Sequence, residues 1–365
     1  FMQEYSLSAP EGVALMCLAE ALLRIPDSET QDRLIRDKVG SADWTSHKNK
    51  SDSMFVNAST FALMLTGRIV KLDDAAKWDM EGVLRKLVAR SGEPVIRQAV
   101  RYAMRILGKQ FVLGRNIGEA MKEGRAWEKE GYRYSFDMLG EAAYTAHDAK
   151  RYAQSYRDAL TAIAAAHPKD GRPIFERPSI SVKLSALHPR YEWIKRERVM
   201  NELLPIVVAL AEQAKANDLA LTIDAEESDR HDLMLDFFEA VGEAPSLKGW
   251  SGLGLAVQGY QKRALPTLNW LIDLARRQNR RIPERLGTGA YRDTEIKRGQ
   301  EQGLADYPTF TRKAATDTSY IACARVMLAA SDAIYPQFAT HNAHTVAAID
   351  TLAGNRTDFE YQRLH

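Results

Sequence analysis

Lys183 stands between Val182 and Leu184 in the run SISVKLS, and Asp224 stands in ALTIDAE. Short apolar and β-branched runs of this kind read as strands. In the two-residue period of a strand, Lys183 faces away from its apolar neighbours. A lysine inside a folded core needs a carboxylate, because an unpaired buried charge is costly. Asp224 can supply it, either as a structural ion pair or as part of a reactive site. Arg285 is a permanent cation suited to an electron-rich ring or an anionic intermediate. Gln258 offers both a donor and an acceptor. Together these two suit the edge of a heteroaromatic cofactor. His341 and His344 have the i, i+3 spacing of two ligands on a helix, but no HExxH or other zinc pattern accompanies them. Contact with a bound cofactor is the stronger expectation, and no metal is expected. Thr340 or Asn342 suits the start of the next helix, and Glu227, Ser228 and Asp229 read as an acidic first turn.

Seven short β-rich runs could position these residues: 134–140, 179–185, 220–226, 252–259, 284–290, 335–341 and 359–365. Long amphipathic segments separate them, including AHDAKRYAQSYRDALTAIAAA and RALPTLNWLIDLARRQN. Strands alternating with helices imply βαβ units and a parallel sheet. The expected fold is α/β, a TIM-like (β/α)8 barrel that stops after strand seven, one unit short of closure. The rival, a doubly wound sheet, needs a Gly-rich phosphate loop after its first strand, where this chain has GEAAYTAH. In a β/α barrel the site lies at the C-terminal strand ends. That rule selects Glu141, Lys183, Asp224 with Glu226 and Glu227, Gln258, Arg285 with Ala290 and Tyr291, Thr340 to Asn342, and Gln362 to His365. The preceding region reads as helical throughout. The expected division is a helical arm over 1–115 and the barrel over 116–365.

The composition narrows the function. In 365 residues, 50 basic and 48 acidic side chains give a net charge of +2. That balance argues against a chain built mainly to coat nucleic acid. Cys17 and Cys323 are too few and too far apart for a redox CxxC pair, a four-ligand zinc site or a disulfide framework, which favours a cytosolic setting. No apolar run reaches the 18 or so residues of a membrane span. No signal peptide opens the chain, and the absence of an initiator Met reads as an excerpt of something longer.

The segments SISVKLSALHPRY, TIDAEESDR, AVQGYQKRALP, EIKRGQ and YPQFATHNAHT are similar to the proline dehydrogenase domain of the bacterial bifunctional proline utilization A family. LMCLAEALLRIPD, FVNASTFALMLTGR and YSFDMLGEAA extend the resemblance, in order, from about residue 12 to the last residue. The resemblance implies a distorted β/α barrel behind a helical arm, with non-covalent FAD as cofactor. It implies oxidation of L-proline to Δ1-pyrroline-5-carboxylate, with electrons passed to a membrane quinone. It implies a downstream aldehyde dehydrogenase domain, a homo-oligomer, and a cytoplasmic protein peripheral to the inner membrane. Nucleic acid is not an expected partner of this segment. Carried over by position, Lys183 and Asp224 match the family's active-site pair, and Arg285 the arginine beside flavin N5. Gln258, Ala290, His341 and Asn342 match flavin-contacting positions, with Thr340 beside them. Tyr291 matches an aromatic at the substrate pocket, and Glu141 a glutamate that pairs with a substrate-binding arginine.

The chain departs from the family pattern in three respects, one being that the downstream aldehyde dehydrogenase half is absent, so oxidation to glutamate is not expected of this chain. The family continues beyond QRLH with an eighth strand and an arginine-bearing helix that clamps the substrate carboxylate, so weak carboxylate recognition is expected here. The fifth-strand motif, which in the family reads like RLVKGAYWD, is RLGTGAYRD. Thr288 replaces a lysine and Arg292 a tryptophan, which bears on flavin affinity. The competing readings are a catalytically impaired scaffold of the same family and a Schiff-base aldolase using Lys183.

Overall fold

The computed structural model describes residues 29–30 and 112–364. The expected helical arm, the Cys17 environment and His365 lie outside them, apart from the arm's residues 29–30 and 112–115. Seven strands form one parallel sheet in sequence order. They are β1 (Ser135–Asp137), β2 (Ser179–Val182), β3 (Ala220–Ile223), β4 (Leu253–Gln258), β5 (Ile282–Gly287), β6 (Ile334–Ala339) and β7 (Glu360–Gln362). This is the expected barrel halted after strand seven, with β1 and β7 at the two edges. Every neighbouring pair is parallel and in sequence order, as consecutive βαβ units produce.

The strands sort their side chains by period two. One face carries Phe136, Ile180, Val182, Leu221, Ile223, Leu255, Val257, Leu286 and Phe338, all buried. It packs on helices that include α1 (Ala146–Ala166), α2 (Arg196–Ala216), α3 (His231–Glu243), α4 (Ala264–Arg277) and α5 (Lys313–Ala329). Burying an apolar side chain there is worth about 1.5–3 kcal/mol, so this layer drives the fold. The other face carries Ser135, Asp137, Ser181, Thr222, Ala256, Gln258, Arg285, Gln337 and Gln362. Arg285 on β5 donates to Ser135 on β1 at 2.7 Å and to Gln362 on β7 at 2.8 Å. These strands are far apart in the sheet order, so the polar face is concave and its edges approach each other.

Local chemistry fixes the helix starts. Thr145 and Asp148 form a reciprocal capping box at α1, whose bounds match the amphipathic segment read from sequence. After β3, Asp229 lies in the first turn as expected, but that turn is a 3-10 turn, Ser228–Arg230, without side-chain caps. The reason is a tertiary competitor. The Ser228 amide and hydroxyl both donate to the buried Glu295 carboxylate, at 2.6 and 2.7 Å. The fifth run also ends earlier than expected. Gly289 turns the chain at φ +133°, and a side chain there would collide with the Tyr260 ring. Cys323 is buried in α5. No helix among the described residues is long and apolar enough to cross a membrane.

Candidate active site

The C-terminal ends of β1, β2, β3 and β5 bring their charged side chains together. Lys183 Nζ lies 2.9 Å from Glu141, 3.3 Å from Asp137 and 3.6 Å from Asp224. Asp224 is held from its other side by Arg285 at 2.8 Å. Arg285 also donates to Ser181 at 2.8 Å. Its planar fork thus ties together β1, β2, β7 and the end of β3. No ammonium could span that set, because it presents a point charge rather than a fixed fork.

The electrostatics follow from this geometry. Burial alone would lower the Lys183 pKa, but Asp224, Asp137 and Glu141 outweigh it and hold the group well above its ordinary value. A Schiff-base nucleophile must be a free amine. A lysine kept protonated by three carboxylates is the opposite arrangement, which removes the support for the aldolase reading. Burial raises the Glu141 pKa against the opposing charge of Lys183. Tyr156, buried on α1, donates to Glu141 at 3.5 Å and accepts the Lys183 amide at 3.3 Å. It therefore braces both members of that pair from the helix layer.

The cluster borders a pocket of 510 Å³ lined by Glu141, Lys183, His188, Tyr191, Arg230 and Tyr291, among others. Tyr291, expected at the substrate pocket, is one of its walls, and burial with the nearby Glu226 charge pushes its pKa up to about 12. Glu226 ties the floor together by accepting the Ser185 amide at 3.0 Å and pairing with Arg230.

Gln258 has a different occupation from the one its type suggests. Its amide nitrogen donates to the Glu226 carbonyl at 2.9 Å, and its oxygen accepts the Ala290 amide at 3.1 Å. Gln258 thus splints the loop after β5 to the loop after β3, and Ala290 joins the site through its backbone. Replacing Gln258 with alanine would leave both backbone groups without that partner. The expected cost is about 1–3 kcal/mol, read as a lower urea midpoint with an unchanged slope.

Thr340, His341 and Asn342 follow β6, and the Thr340 amide donates to the carbonyl of Gln362, the β7 residue that Arg285 binds. Asn342 caps α6 (Ala343–Ala353) by accepting the His344 and Thr345 amides. Thr340 accepts the Asn342 amide, and His341 Nε2 accepts the Leu364 amide at 3.1 Å. Among the described residues, no three His, Cys, Asp or Glu side chains converge as a metal cage. Arg292, at the position where the family pattern has tryptophan, turns toward Phe310 and Thr316. Asp137, Tyr156, Ser135, Ser181 and Glu295 were not singled out by sequence reasoning. Asp137 alone carried a signal, two residues beyond Ser135 on the inward face of the first strand.

Comparison with known proteins adds the family context. The proline dehydrogenase family model matches residues 120–365. A second model, the DNA-binding domain of proline dehydrogenase, matches residues 1–111. That match covers the helical arm, whereas no nucleic-acid partner is expected for this chain from sequence, and almost all of the arm lies outside the described residues. The bifunctional protein PutA of Escherichia coli K12 is 52% identical over the whole chain, which covers 28% of that relative. The Rhizobium meliloti protein of the same name is 51% identical, with 29% of it covered. The chain thus spans little more than a quarter of these relatives. A mutant of Bradyrhizobium japonicum proline utilization A superposes with a TM-score of 0.70 at 48% identity, covering all of this chain and 36% of that one.

Proposed function

Because the chain belongs to the proline dehydrogenase family, we propose that it oxidises L-proline to Δ1-pyrroline-5-carboxylate. In this reading the cofactor is non-covalent FAD, and a membrane quinone takes the electrons. A downstream aldehyde dehydrogenase domain completes the pathway, in a cytoplasmic homo-oligomer that touches the membrane peripherally. The observation that carries the reading is Arg285. Its guanidinium lies at the concave end of β5, fixed by four side chains on other elements.

The residues fit a flat ring system in that place. Gly287 shares the inward face of β5 with Arg285, and a Cβ built on it meets nothing within 4 Å. On the same face, Ala256 of β4 pairs with Arg285, and Ala339 ends β6 beside Gly287; both are small. Gln337, one strand over and buried, has a side-chain oxygen without a hydrogen-bond partner among the described residues. Arg285, the Ala290 backbone splinted by Gln258, and the Thr340–Asn342 segment at the start of α6 would hold the group. When bound, the flavin accepts the hydride and carries the redox chemistry.

This chain's residues supply position and charge. Lys183 presents a fixed ammonium to the pocket and can attract a substrate carboxylate. Asp224 keeps Lys183 and Arg285 in register, so that neither cation drifts. Arg285 offers a preorganised positive charge where negative charge develops, which needs no reorganisation during the reaction. Tyr291 closes one wall of the pocket against water. Such positioning is worth several kcal/mol, about 7–11 in well-oriented cases.

The test is the visible spectrum of the purified chain, before and after L-proline without oxygen. A flavin band near about 450 nm that bleaches with proline is the expected result. A flavin band that proline leaves unchanged would sink the activity for this chain. A colourless protein that also fails to take up added FAD would sink the cofactor assignment.

A further inference from the structure

The charges around Lys183 do not balance. Lys183 and Arg285 contribute two cations, and Asp137, Glu141 and Asp224 contribute three carboxylates. Two of the carboxylates are committed. Glu141 is buried against Lys183 and the Tyr156 hydroxyl. Asp224 is shared between Arg285 and Lys183. Asp137 is the surplus one. Its partner among the described residues is Lys183, through one oxygen at 3.3 Å. Its side chain is 41% exposed, and no donor among the described residues meets its second oxygen. It also shares the inward face of β1 with Ser135, which anchors Arg285. The surplus charge therefore sits at the rim of the cluster, where a ligand can reach it.

We propose that Asp137 is the specificity-determining carboxylate that receives the ammonium of a cyclic secondary amine. A protonated secondary amine has two N–H donors, and Asp137 Oδ2 accepts from no donor among the described residues. Lys183 cannot play this part, because an ammonium only donates. The opposing ends of a zwitterionic substrate then meet opposing groups, carboxylate toward Lys183 and ammonium toward Asp137. The strained electrostatics agree with this. The surrounding protein mass and the neighbouring Asp224 charge push the Asp137 pKa up despite Lys183, and a second cation beside it relieves both. The inference rests on the proline reading for the identity of the amine, but its test does not require oxidation.

The experiment compares two rings of the same size on the 365-residue chain by ligand-observed NMR. Pyrrolidine is a cation at neutral pH, and tetrahydrofuran is neutral. Wild type is expected to bind pyrrolidinium in preference to tetrahydrofuran. Asp137→Asn keeps the shape, removes the charge, and should weaken pyrrolidinium roughly tenfold while leaving tetrahydrofuran unchanged. Asp137→Glu should recover part of the preference, and Asp137→Ser serves as a second neutral variant if the asparagine form does not fold. Equal pyrrolidinium binding by wild type and a folded neutral variant would overturn the proposal. So would a wild type that does not distinguish the two rings. A chain that discriminates through Asp137 yet never reduces a flavin with L-proline would keep this inference and lose the dehydrogenase reading.

Discussion

Replacing Glu284 with valine is expected to stabilise the chain, with a gain that grows as pH rises. Glu284 lies on β5 between Ile282 and Leu286, on the helix-facing side, and is 0% exposed. Neither carboxylate oxygen has a hydrogen-bond partner among the described residues. Tyr320 on α5 faces the same layer, but its hydroxyl donates to the Leu286 and Ala339 carbonyls instead. Burial therefore pushes the Glu284 pKa well above its ordinary value of 4.5 and favours the neutral group in the fold. Two costs follow. An unsatisfied buried polar group costs about 1–3 kcal/mol, which valine removes at the price of a small void. The second cost is linkage. Above pH 4.5 the unfolded chain releases the proton while the folded chain retains it, so the folded state binds more protons. Stability then falls by about 1.4 kcal/mol per pH unit until the folded-state pKa is reached. Below 4.5 both states are protonated and this loss vanishes.

Two variants separate these costs in a urea series across pH. Glu284→Gln keeps a buried polar group but cannot ionise, so its advantage over wild type should be absent near pH 4 and appear as pH rises. Glu284→Val should exceed wild type throughout, with the same added pH dependence. A valine variant no more stable than wild type at neutral pH would show that the carboxyl finds a partner or water in solution.

Glu284 also marks how far the sequence could be read. Seven strands and their order were legible because their apolar faces repeat with period two and turn signals separate them. α1 was legible to the residue as an amphipathic segment, and the structure shows Thr145 and Asp148 capping its start. The charged strand-end residues were also legible, since Lys183, Asp224, Glu141 and Arg285 meet in one network. Their wiring was not. Arg285 binds Ser135, 150 positions away, and a serine on a strand gives no hint of such a partner. Glu295 captures Ser228 across 67 positions, overriding a local capping pattern that propensity favours. Gln258 reads as a ligand contact by type, yet both ends of its amide are committed to backbone groups. Local sequence specifies periodicity and caps. It does not specify which distant hydroxyl or amide completes a buried polar group.

Substituting Arg285 is expected to cost both stability and activity, and the two variants should rank differently in each. The side chain makes four hydrogen bonds to elements that the sheet order keeps apart. Arg285→Ala removes all four and leaves Asp224 beside Lys183, in a cluster that already carries surplus negative charge. Removing one partner of a buried pair typically costs about 3–5 kcal/mol. The side chains of Arg285 and Asp224 are 16% and 12% exposed, so the lower end of that range applies. Arg285→Lys keeps the cation but not the fork. It can satisfy Asp224 or the serines, not both together with Gln362, so it should recover part of the stability. Activity should recover less. A preorganised charge loses about 10²–10³ in rate when the donor is removed or misplaced, and a mobile ammonium is misplaced by construction. The measurements are urea midpoints and the rate of proline-dependent flavin reduction for both variants. Near wild-type reduction by Arg285→Lys would mean that a charge anywhere at the end of β5 suffices, and that the fork serves only to close the sheet. Loss of reduction with recovered stability would separate the tying of the strands from the proposed role of a fixed positive charge beside the flavin.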